Sequence, residues 1–248
     1  MVVLKGLGRL GGRASLTALA AHVDERPAKV HRYLVSLVQE GLVLQDEGSG
    51  HYQLGPECLQ LGLAAMRQAD PIRLAEPALL RLRQALDATC FLAVMGNKGP
   101  TIVRFEEPGL PVTLNVRVGS VMSLLWSATG RAFLALLDDA RVMTLAREEL
   151  AGAPAEQRAL LAADDPIGTL RREVAASGLA TVRDVYLRGI SAVAAPLFNH
   201  SGQVAAVMTV LGASGGFDPA PGGPVALALR HEAQAVSAQL GHVATSSG

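Results

Sequence analysis

The stretch PAKVHRYLVSLVQEG, residues 27–41, runs directly into LVLQDEGSGHYQLG, residues 42–55, and these two segments decide the N-terminal fold. Pro27 is favoured at the first position of a helix, and Gly41 is typical of the residue just after a helix end. The apolar residues between them recur at helical spacing and predict one buried stripe, formed by Val30, Leu34, Leu37 and Val38. The second segment places two strand-like runs around DEGSG, which predicts a hairpin.

Upstream lies SLTALAAHV, residues 15–23, in which Ser15 is suited to cap a short amphipathic helix. Helix, turn, helix and hairpin, in this order, make a winged helix-turn-helix. In such a module the N-terminal residues of the second helix enter the major groove of DNA, and the hairpin lies along the backbone or minor groove. The DNA-binding residues predicted on this basis are Arg26, Ala28, Lys29, His31, Arg32, Ser36, Ser49 and His51.

The first residues, MVVLKGLGRLGG, contain the spacing G-x-G-x-x-G at Gly6, Gly8 and Gly11. A dinucleotide site would need a strand before these glycines and a second strand that ends in an acid. Only three apolar residues precede Lys5, and the segment before Asp24 has helical rather than strand spacing. We therefore interpret the glycines as part of a weak first helix, and residues missing before it are an open alternative.

Composition indicates a globular protein with little net charge. The chain has 248 residues, 50% of them hydrophobic, and Lys plus Arg equals Asp plus Glu at 22 each. No apolar run is long enough to span a bilayer and no secretory signal is evident, so no membrane partner and a cytoplasmic location are expected. The N-terminal 55 residues are only slightly basic, so strong DNA binding is expected to require a dimer or tetramer that presents several such modules.

Motifs for catalysis or metal binding are not evident. There is no H-E-x-x-H and no P-loop, and no cofactor is expected. Cys58 and Cys90 lack zinc-site spacing and are interpreted as buried or idle thiols. The acidic pairs at 138–139 and 164–165 are interpreted as loop or helix-end charges. A metabolic enzyme with an N-terminal interaction module is the alternative to a non-enzymatic ligand sensor.

The remaining chain alternates between helical and strand-like segments. Residues 56–85 are helical by period with a break at Pro71, and the final segment from 225 to 241 is also helical. The predicted strands are TCFLAVM, TIVRF, VTLNVRV, ISAVAAPLF and QVAAVMTVL, and the predicted internal helices cover 129–150 and 168–178. Residues 212–224 are predicted to form a surface loop. This order predicts an α+β domain with one sheet face covered by helices.

AKVHRYLVSLVQEGLV followed by HYQLGPECLQLG resembles the DNA-binding region of IclR-type bacterial transcriptional regulators. SATGRAFLALL at 127–137 and GISAVAAPLF at 189–198 resemble motifs of the GAF-like effector domain of that family. The resemblance implies an α+β chain with a winged helix-turn-helix over 1–55, a linker helix over 56–71 and a GAF-like, antiparallel-sheet effector-binding domain over 72–248. It implies a regulator, an activator or a repressor, that binds double-stranded operator DNA as a dimer or tetramer and responds to a small organic effector.

The resemblance also places the effector in a cavity that the backbone amides of residues 127–130 cap at a helix start, where an anion is favoured. The resemblance further implies side chains from the 180–192 region and from the strand near Thr209. The candidate ligand-binding residues are Leu114, Met122, Ser127, Ala128, Thr129, Gly130, Val182, Asp184, Ala192, Thr209 and Leu211, with ordinary core packing as the alternative for the apolar walls. The chain departs from the family pattern at Arg131, where lysine is usual, at Val182 and Val185, where acids are common, and at Leu211. We therefore expect a more apolar cavity and an aromatic or other carboxylic acid as effector.

Overall fold

The computed structural model describes residues 1–109 and 116–243. The chain divides into two compact units, Met1–Gln68 and a larger one that begins at Ala69. Each unit has its own sheet, and the first has a core cluster to itself. Among the described residues, no helix is long and apolar enough to cross a membrane.

The first unit consists of α1 (Val2–Arg9), β1 (Arg13–Ala14), α2 (Leu16–His22), α3 (Pro27–Gln39), β2 (Val43–Gln45), β3 (Tyr52–Leu54) and α4 (Pro56–Gln68). Its three strands form an antiparallel sheet in the order β1-β3-β2. The three-helix core is built on fully buried Leu7, Leu19, Val30 and Leu34. The winged helix-turn-helix is thereby confirmed, and β1 is an addition, because two residues are too few to show a strand period.

Local sequence signals explain the helix ends. The Ser15 hydroxyl accepts a hydrogen bond from Ala18 N–H at 3.2 Å and caps α2. After α3, Gly41 adopts φ +68° and Leu42 N–H bonds back to Leu37. The predicted stripe of α3 is wrong in its last turn, because Leu37 is half-buried and Val38 is 37% exposed. This turn projects beyond the small core.

The glycine-rich start is helical, as predicted. A Cβ at Gly6 would lie 2.5 Å from Val23 Cγ1 and 3.3 Å from Leu19 Cδ1, so the missing side chain lets α1 pack closely on α2. Gly11 and Gly12 have positive φ in the turn after the helix. Because a helix occupies the place of the required first strand, these glycines do not form a dinucleotide site.

The second unit consists of α5 (Pro71–Leu86), β4 (Thr89–Gly96), β5 (Gly99–Glu106), α6 (Ala128–Leu136), α7 (Ala140–Gly152), α8 (Ala155–Arg158), α9 (Pro166–Ser177), β6 (Ala180–Arg183), β7 (Ile190–Phe198), β8 (Val204–Ala213) and α10 (Pro224–Gln239). The strands form one antiparallel sheet in the order β5-β4-β8-β7-β6. The α+β class is confirmed.

Helices cover both faces of this sheet, so the prediction of a single covered face is wrong. Phe91 and Ala93 of β4 pack in the cluster with α6 and α9, whereas Cys90 and Leu92 pack in the cluster with α5 and α10. The cause is visible in the strands themselves. The runs in β4, β7 and β8 are apolar almost continuously, which suits a sheet buried on both sides.

The β5 edge of the sheet and the end of β7 are occupied by local groups. Along β5, Ile102 N–H donates to Ser120 and Gly119 N–H donates to Ile102. At the other side β6 is short, and β7 continues past it. There Pro196 has no N–H, and Phe198 N–H donates to the Ser237 hydroxyl at 3.0 Å.

Three smaller expectations have mixed outcomes. Of the predicted strand VTLNVRV, residues 112–115 lie outside the described residues, and 116–118 are not a strand. The predicted loop 212–224 begins inside β8 and carries a buried Phe217 against Gly212, because an aromatic residue fits where no Cβ is present. Asp139 and Asp165 accept backbone N–H bonds as the N-caps of α7 and α9, which confirms them as helix-end charges.

Candidate functional site

The N-terminal half of α3 presents a polar face to solvent. Arg26 precedes the helix as its N-cap residue, and the face continues along the next three turns. Arg26, Ala28, His31, Arg32 and Ser36 are exposed, and Lys29 is partly exposed. The structure therefore brings the predicted α3 residues together on the surface of one element.

These side chains differ in their contacts. Lys29 Nζ lies 2.6 Å from Glu25 Oε1, and this carboxylate raises the pKa of Lys29. His31 Nδ1 lies 3.3 Å from the Tyr52 hydroxyl. Within the described residues, the guanidinium groups of Arg26 and Arg32 form no ion pair. Among the described residues of this face, Arg26 and Arg32 are thus the cations whose positive charge is not neutralised by a neighbouring carboxylate.

The turn between β2 and β3 is held by its own polar groups. Arg13 Nη2 lies 2.8 Å from Asp46 Oδ2 and 3.2 Å from the Ser49 hydroxyl. Hydrogen bonds from the backbone and hydroxyl of Ser49, and from Gly48 N–H, lower the pKa of Asp46. His51 Nδ1 lies 3.2 Å from the Ser49 carbonyl oxygen. Ser49 and His51 therefore lie in one ordered turn, and Asp46 gives that turn an acidic component.

The second unit contains a narrow cavity between the start of α6, the sheet and the segment after β6. It is lined by Phe91, Val116, Met122, Ser127, Ala128, Thr129, Val182, Tyr186, Leu187, Ile190, Ala192, Thr209 and Leu211. Its free space holds about two water molecules, so a larger ligand requires the walls to move apart. Among these described lining residues none has a charged side chain.

The cavity brings together most of the predicted ligand-binding residues but not all of them. Gly130 and Asp184 do not line it, and Leu114 lies outside the described residues. Gly130 packs against the Ser123 and Leu124 backbone, and the Asp184 carboxylate accepts hydrogen bonds from Gly189 N–H and the Ser214 hydroxyl at 2.8 Å each. Gly130 allows close packing, and Asp184 closes the loop that follows β6.

Sequence reasoning missed five lining residues, namely Phe91, Val116, Tyr186, Leu187 and Ile190. Phe91 could have been found from register, since it lies opposite the predicted residue Thr209 in the β4–β8 pair. Tyr186 and Leu187 are both 37% exposed and lie in a short loop, where apolar side chains are a signal of a ligand or cover. Burial raises the pKa of Tyr186, with a smaller contribution from the Glu149 carboxylate.

The polar groups of the cavity lie at the start of α6. The Ser127 hydroxyl accepts a hydrogen bond from Gly130 N–H at 2.9 Å and caps the helix. The N–H groups of Ala128 and Thr129 have no acceptor within the described part of the chain. The Thr129 and Thr209 hydroxyls lie 2.9 Å apart, and this bond uses one of their two protons. The site can therefore donate hydrogen bonds to one anionic or carbonyl group within an apolar enclosure.

Arg131 stabilises the part of the cavity lining formed by the start of α6. Its guanidinium donates to the carbonyl oxygens of Leu125 at 2.8 Å and Thr181 at 3.3 Å, and burial lowers its pKa. These bonds join the loop before α6 to strand β6. No group of His, Cys, Asp and Glu in the described residues is arranged to hold a metal ion.

A winged helix-turn-helix with an exposed polar recognition helix, together with a separate unit that encloses a small cavity, defines a class of DNA-binding transcriptional regulators. The comparisons agree with this class. The model of the IclR helix-turn-helix domain matches residues 1–47, and that of the bacterial transcriptional regulator IclR C-terminal domain matches residues 63–238. The chain belongs to the IclR family of transcriptional regulators.

One solved structure is similar over nearly the whole chain, and two relatives are named as regulators. The crystal structure of Pseudomonas aeruginosa HmgR is 39% identical, with a TM-score of 0.89, and the match covers 98% of this chain and 97% of that one. The HTH-type transcriptional regulator BhcR of Paracoccus denitrificans is 28% identical over 200 residues, 80% of this chain and 70% of that protein. The Pca regulon regulatory protein of Pseudomonas putida is 28% identical over 197 residues, 78% of this chain and 66% of that protein.

Proposed function

We propose that this protein is a sequence-specific operator-binding regulator whose DNA affinity changes when a small organic acid enters the cavity between α6 and the sheet. It acts on DNA in the cytoplasm, as a dimer or tetramer, without catalysing a reaction on its ligand. The domains proposed for these tasks are 1–55, 56–71 and 72–248. The observation that carries the effector proposal is the pair of N–H groups of Ala128 and Thr129, which have no acceptor among residues 1–109 and 116–243 and lie beside an apolar lining.

The chemistry of the cavity favours a carboxylate on a largely apolar body. The N-terminal end of a helix carries partial positive charge and free N–H donors, so a carboxylate is stabilised there without a cation. The aromatic and aliphatic lining, with Phe91 and Leu211 on the sheet side, fits an aromatic ring or a short alkyl chain. A multiply charged ligand would lose its hydration without compensation in such an enclosure.

A thermal-shift screen with benzoate, phenylacetate and hexanoate tests the effector class. A ligand that binds only the folded state at a hundredfold excess over Kd stabilises it by about 2.7 kcal/mol. We expect Thr129→Val to weaken the shift and Ala128→Trp to abolish it, while operator binding remains. Thr144→Val is the matched control, because its hydroxyl bonds to the Ala140 carbonyl oxygen in a different helix.

If Ala128→Trp does not fold, as judged by circular dichroism, the isosteric Thr129→Val variant carries the test. An undiminished shift in a folded Ala128→Trp protein would place the ligand elsewhere. Turnover of any of these acids by the purified protein would contradict the proposal that it acts as a sensor.

DNA recognition is assigned to the exposed face of α3. Arg32 projects from this helix without an ion partner in the described residues and is suited to a base edge or phosphate. We expect Arg32→Ala to cost roughly 1 to 3 kcal/mol of operator affinity if it contacts a base. Gln39→Ala, at the other end of the same helix, is the control. Unchanged affinity with an intact circular dichroism spectrum would contradict the assignment.

Self-association is proposed to involve α4. None of its residues is buried, although it carries several large apolar side chains. These side chains are Leu59 (63% exposed), Leu61 (61%), Leu63 (37%) and Met66 (45%). Glu57 near the start and Arg67 near the end would meet in an antiparallel pair centred on Gly62, where an added Cβ would meet open space. A second copy of the chain fits this face because it supplies both the apolar surface and the opposite charges.

Light scattering at micromolar concentration tests this interface. We expect Leu59→Glu to lower the mass to that of a smaller assembly, whereas Gln60→Glu, on the same helix and also exposed, leaves it unchanged. A monomeric wild-type protein, with and without DNA, would contradict the proposed oligomer.

A further inference from the structure

Glu25 is an acidic residue in ion-pair contact with the exposed polar face of α3. It lies in the turn between α2 and α3, two residues before Pro27 begins α3. Its carboxylate binds Lys29 at 2.6 Å, with side-chain exposures of 36% for Glu25 and 43% for Lys29. An exposed pair of this kind adds little to folding stability. It does, however, remove one of the positive charges that the start of α3 could offer to phosphate.

Unlike Glu25 and Lys29, the other charged groups near this turn form no ion pair among the described residues. Arg26 and Arg32 have no ion partner in the described residues, and Asp24 is exposed and unpaired there as well. Among the described residues, Lys29 is therefore the cation of the α3 face whose ammonium group is held by an ion pair. A free lysine has a flexible four-carbon stem and binds phosphate as a point charge, whereas an anchored one presents its remaining N–H donors in one direction.

We propose that Glu25 is a positioning residue for sequence discrimination, which holds the Lys29 ammonium for a base edge and keeps it from phosphate. This inference rests on the proposed entry of α3 into the major groove. Phosphate contacts carry no sequence information, while lysine contacts to guanine O6 and N7 do. On a wrong sequence, Lys29 stays paired with Glu25 and gains no phosphate contact. The pair thus weakens binding to unrelated DNA more than binding to the operator.

The experiment compares Kd values for a duplex selected by the wild-type protein from random sequence and for a scrambled duplex of equal length and composition. Each Kd is measured over a series of salt concentrations. Glu25→Gln is expected to bind the scrambled duplex more tightly, with a salt slope steeper by about 0.9 per protomer. The ratio of affinities for selected and scrambled DNA is expected to fall by roughly 5- to 150-fold, the discrimination that one base contact provides.

Asp24→Asn is the matched control. It removes one negative charge from the same turn without breaking the pair, and asparagine tolerates the φ of +52° at this position. We expect it to leave the affinity ratio close to the wild-type value. In a Lys29→Met background, Glu25→Gln is expected to have no further effect on the ratio.

A Glu25→Gln protein with an unchanged affinity ratio, or with a change no larger than that of Asp24→Asn, would overturn the inference and leave the proposed function standing. Failure of the wild-type protein to select any sequence would overturn the proposed function itself. The two failures are therefore distinguishable.

Discussion

Gly130, near the start of α6, packs so closely against neighbouring backbone that no side chain fits there. The sequence singled it out as a ligand contact, but its surroundings indicate packing. A Cβ there would overlap with the Ser123 carbonyl oxygen and lie 2.5 Å from Leu124 Cα. Both atoms belong to backbone and cannot move aside as a flexible side chain could. The wall of the cavity is therefore built against a loop that tolerates no side chain at this point.

We expect Gly130→Ala to lower the free energy of unfolding by at least about 2 kcal/mol. Trp126 is the one tryptophan in the chain and is buried beside this helix, so its fluorescence in urea reports the change. Gly152→Ala is the control, because no atom lies within 4 Å of that Cβ. Equal stability of the two variants would contradict the packing role.

The two thiols are expected to differ in reactivity. Burial raises the pKa of Cys90 to about 12, whereas Cys58 is only partly buried and donates to the Leu42 carbonyl oxygen. At pH 8 a disulfide reagent should label Cys58 first and reach Cys90 only on unfolding. Cys58→Ser should remove the fast phase, and a fast phase that survives would contradict the burial of Cys90.

The pKa of Cys90 in the folded protein lies above the ordinary 9.0, so the stability due to this thiol is lost as pH rises from 9 to 12.

At the scale of elements, the chain is most predictable where the signals are local. Ser15, Pro27 and Gly41 fix the ends of α2 and α3, and two apolar runs separated by a glycine-containing turn fix the hairpin of β4 and β5. β1 and β6 escape prediction because two and four residues show no period. Phe91 and Tyr186 meet at the cavity only through strand register and a loop closure, which are tertiary properties that a linear pattern does not contain.

The N-cap of α9 provides a test at this scale. A hydrogen bond from Arg172, and a smaller effect of Gly168 N–H, lower the pKa of Asp165 from its ordinary 3.8. Its contribution to stability is therefore present above about pH 4 and is lost as pH falls below that value. We expect Asp165→Ala to destabilise the protein at pH 7 and to weaken the acid dependence of unfolding.

Urea denaturation at pH 7 and pH 3 measures both effects. Asp165→Asn keeps an acceptor for the helix start but does not titrate, so it should lose mainly the acid dependence. Asp164→Asn, next to it and without a hydrogen bond in the described residues, is the control. An acid dependence that is the same in all four proteins would exclude a role for this carboxylate.

At the scale of the whole molecule, the two units have separate cores. The cluster around Leu34 is drawn entirely from the first unit, and Trp126 lies in a cluster of the second. We expect Leu34→Ala to cost about 2 to 5 kcal/mol in the first unit, because Leu34 is fully buried. The Trp126 fluorescence transition should stay unchanged while the circular dichroism transition broadens toward lower urea.

Leu44→Ala, at a 42% exposed position of the same unit, is the control and should alter neither transition strongly. A parallel shift of both signals in Leu34→Ala would show that the units unfold as one.

The occupied β5 edge and β7 end of the large sheet have a consequence for strand addition by other chains. A free strand edge offers unpaired N–H and C=O groups on which another chain can add a strand, and such addition leads to aggregation. Here the 119–122 segment forms backbone hydrogen bonds along β5. In the part of β7 that extends beyond β6, Pro196 has no N–H, and the N–H of Phe198 is bonded to the Ser237 hydroxyl. Both features remove donors that another strand could use. These two places therefore offer a poor template for strand addition, which matters for a chain whose balanced charge gives little mutual repulsion between copies.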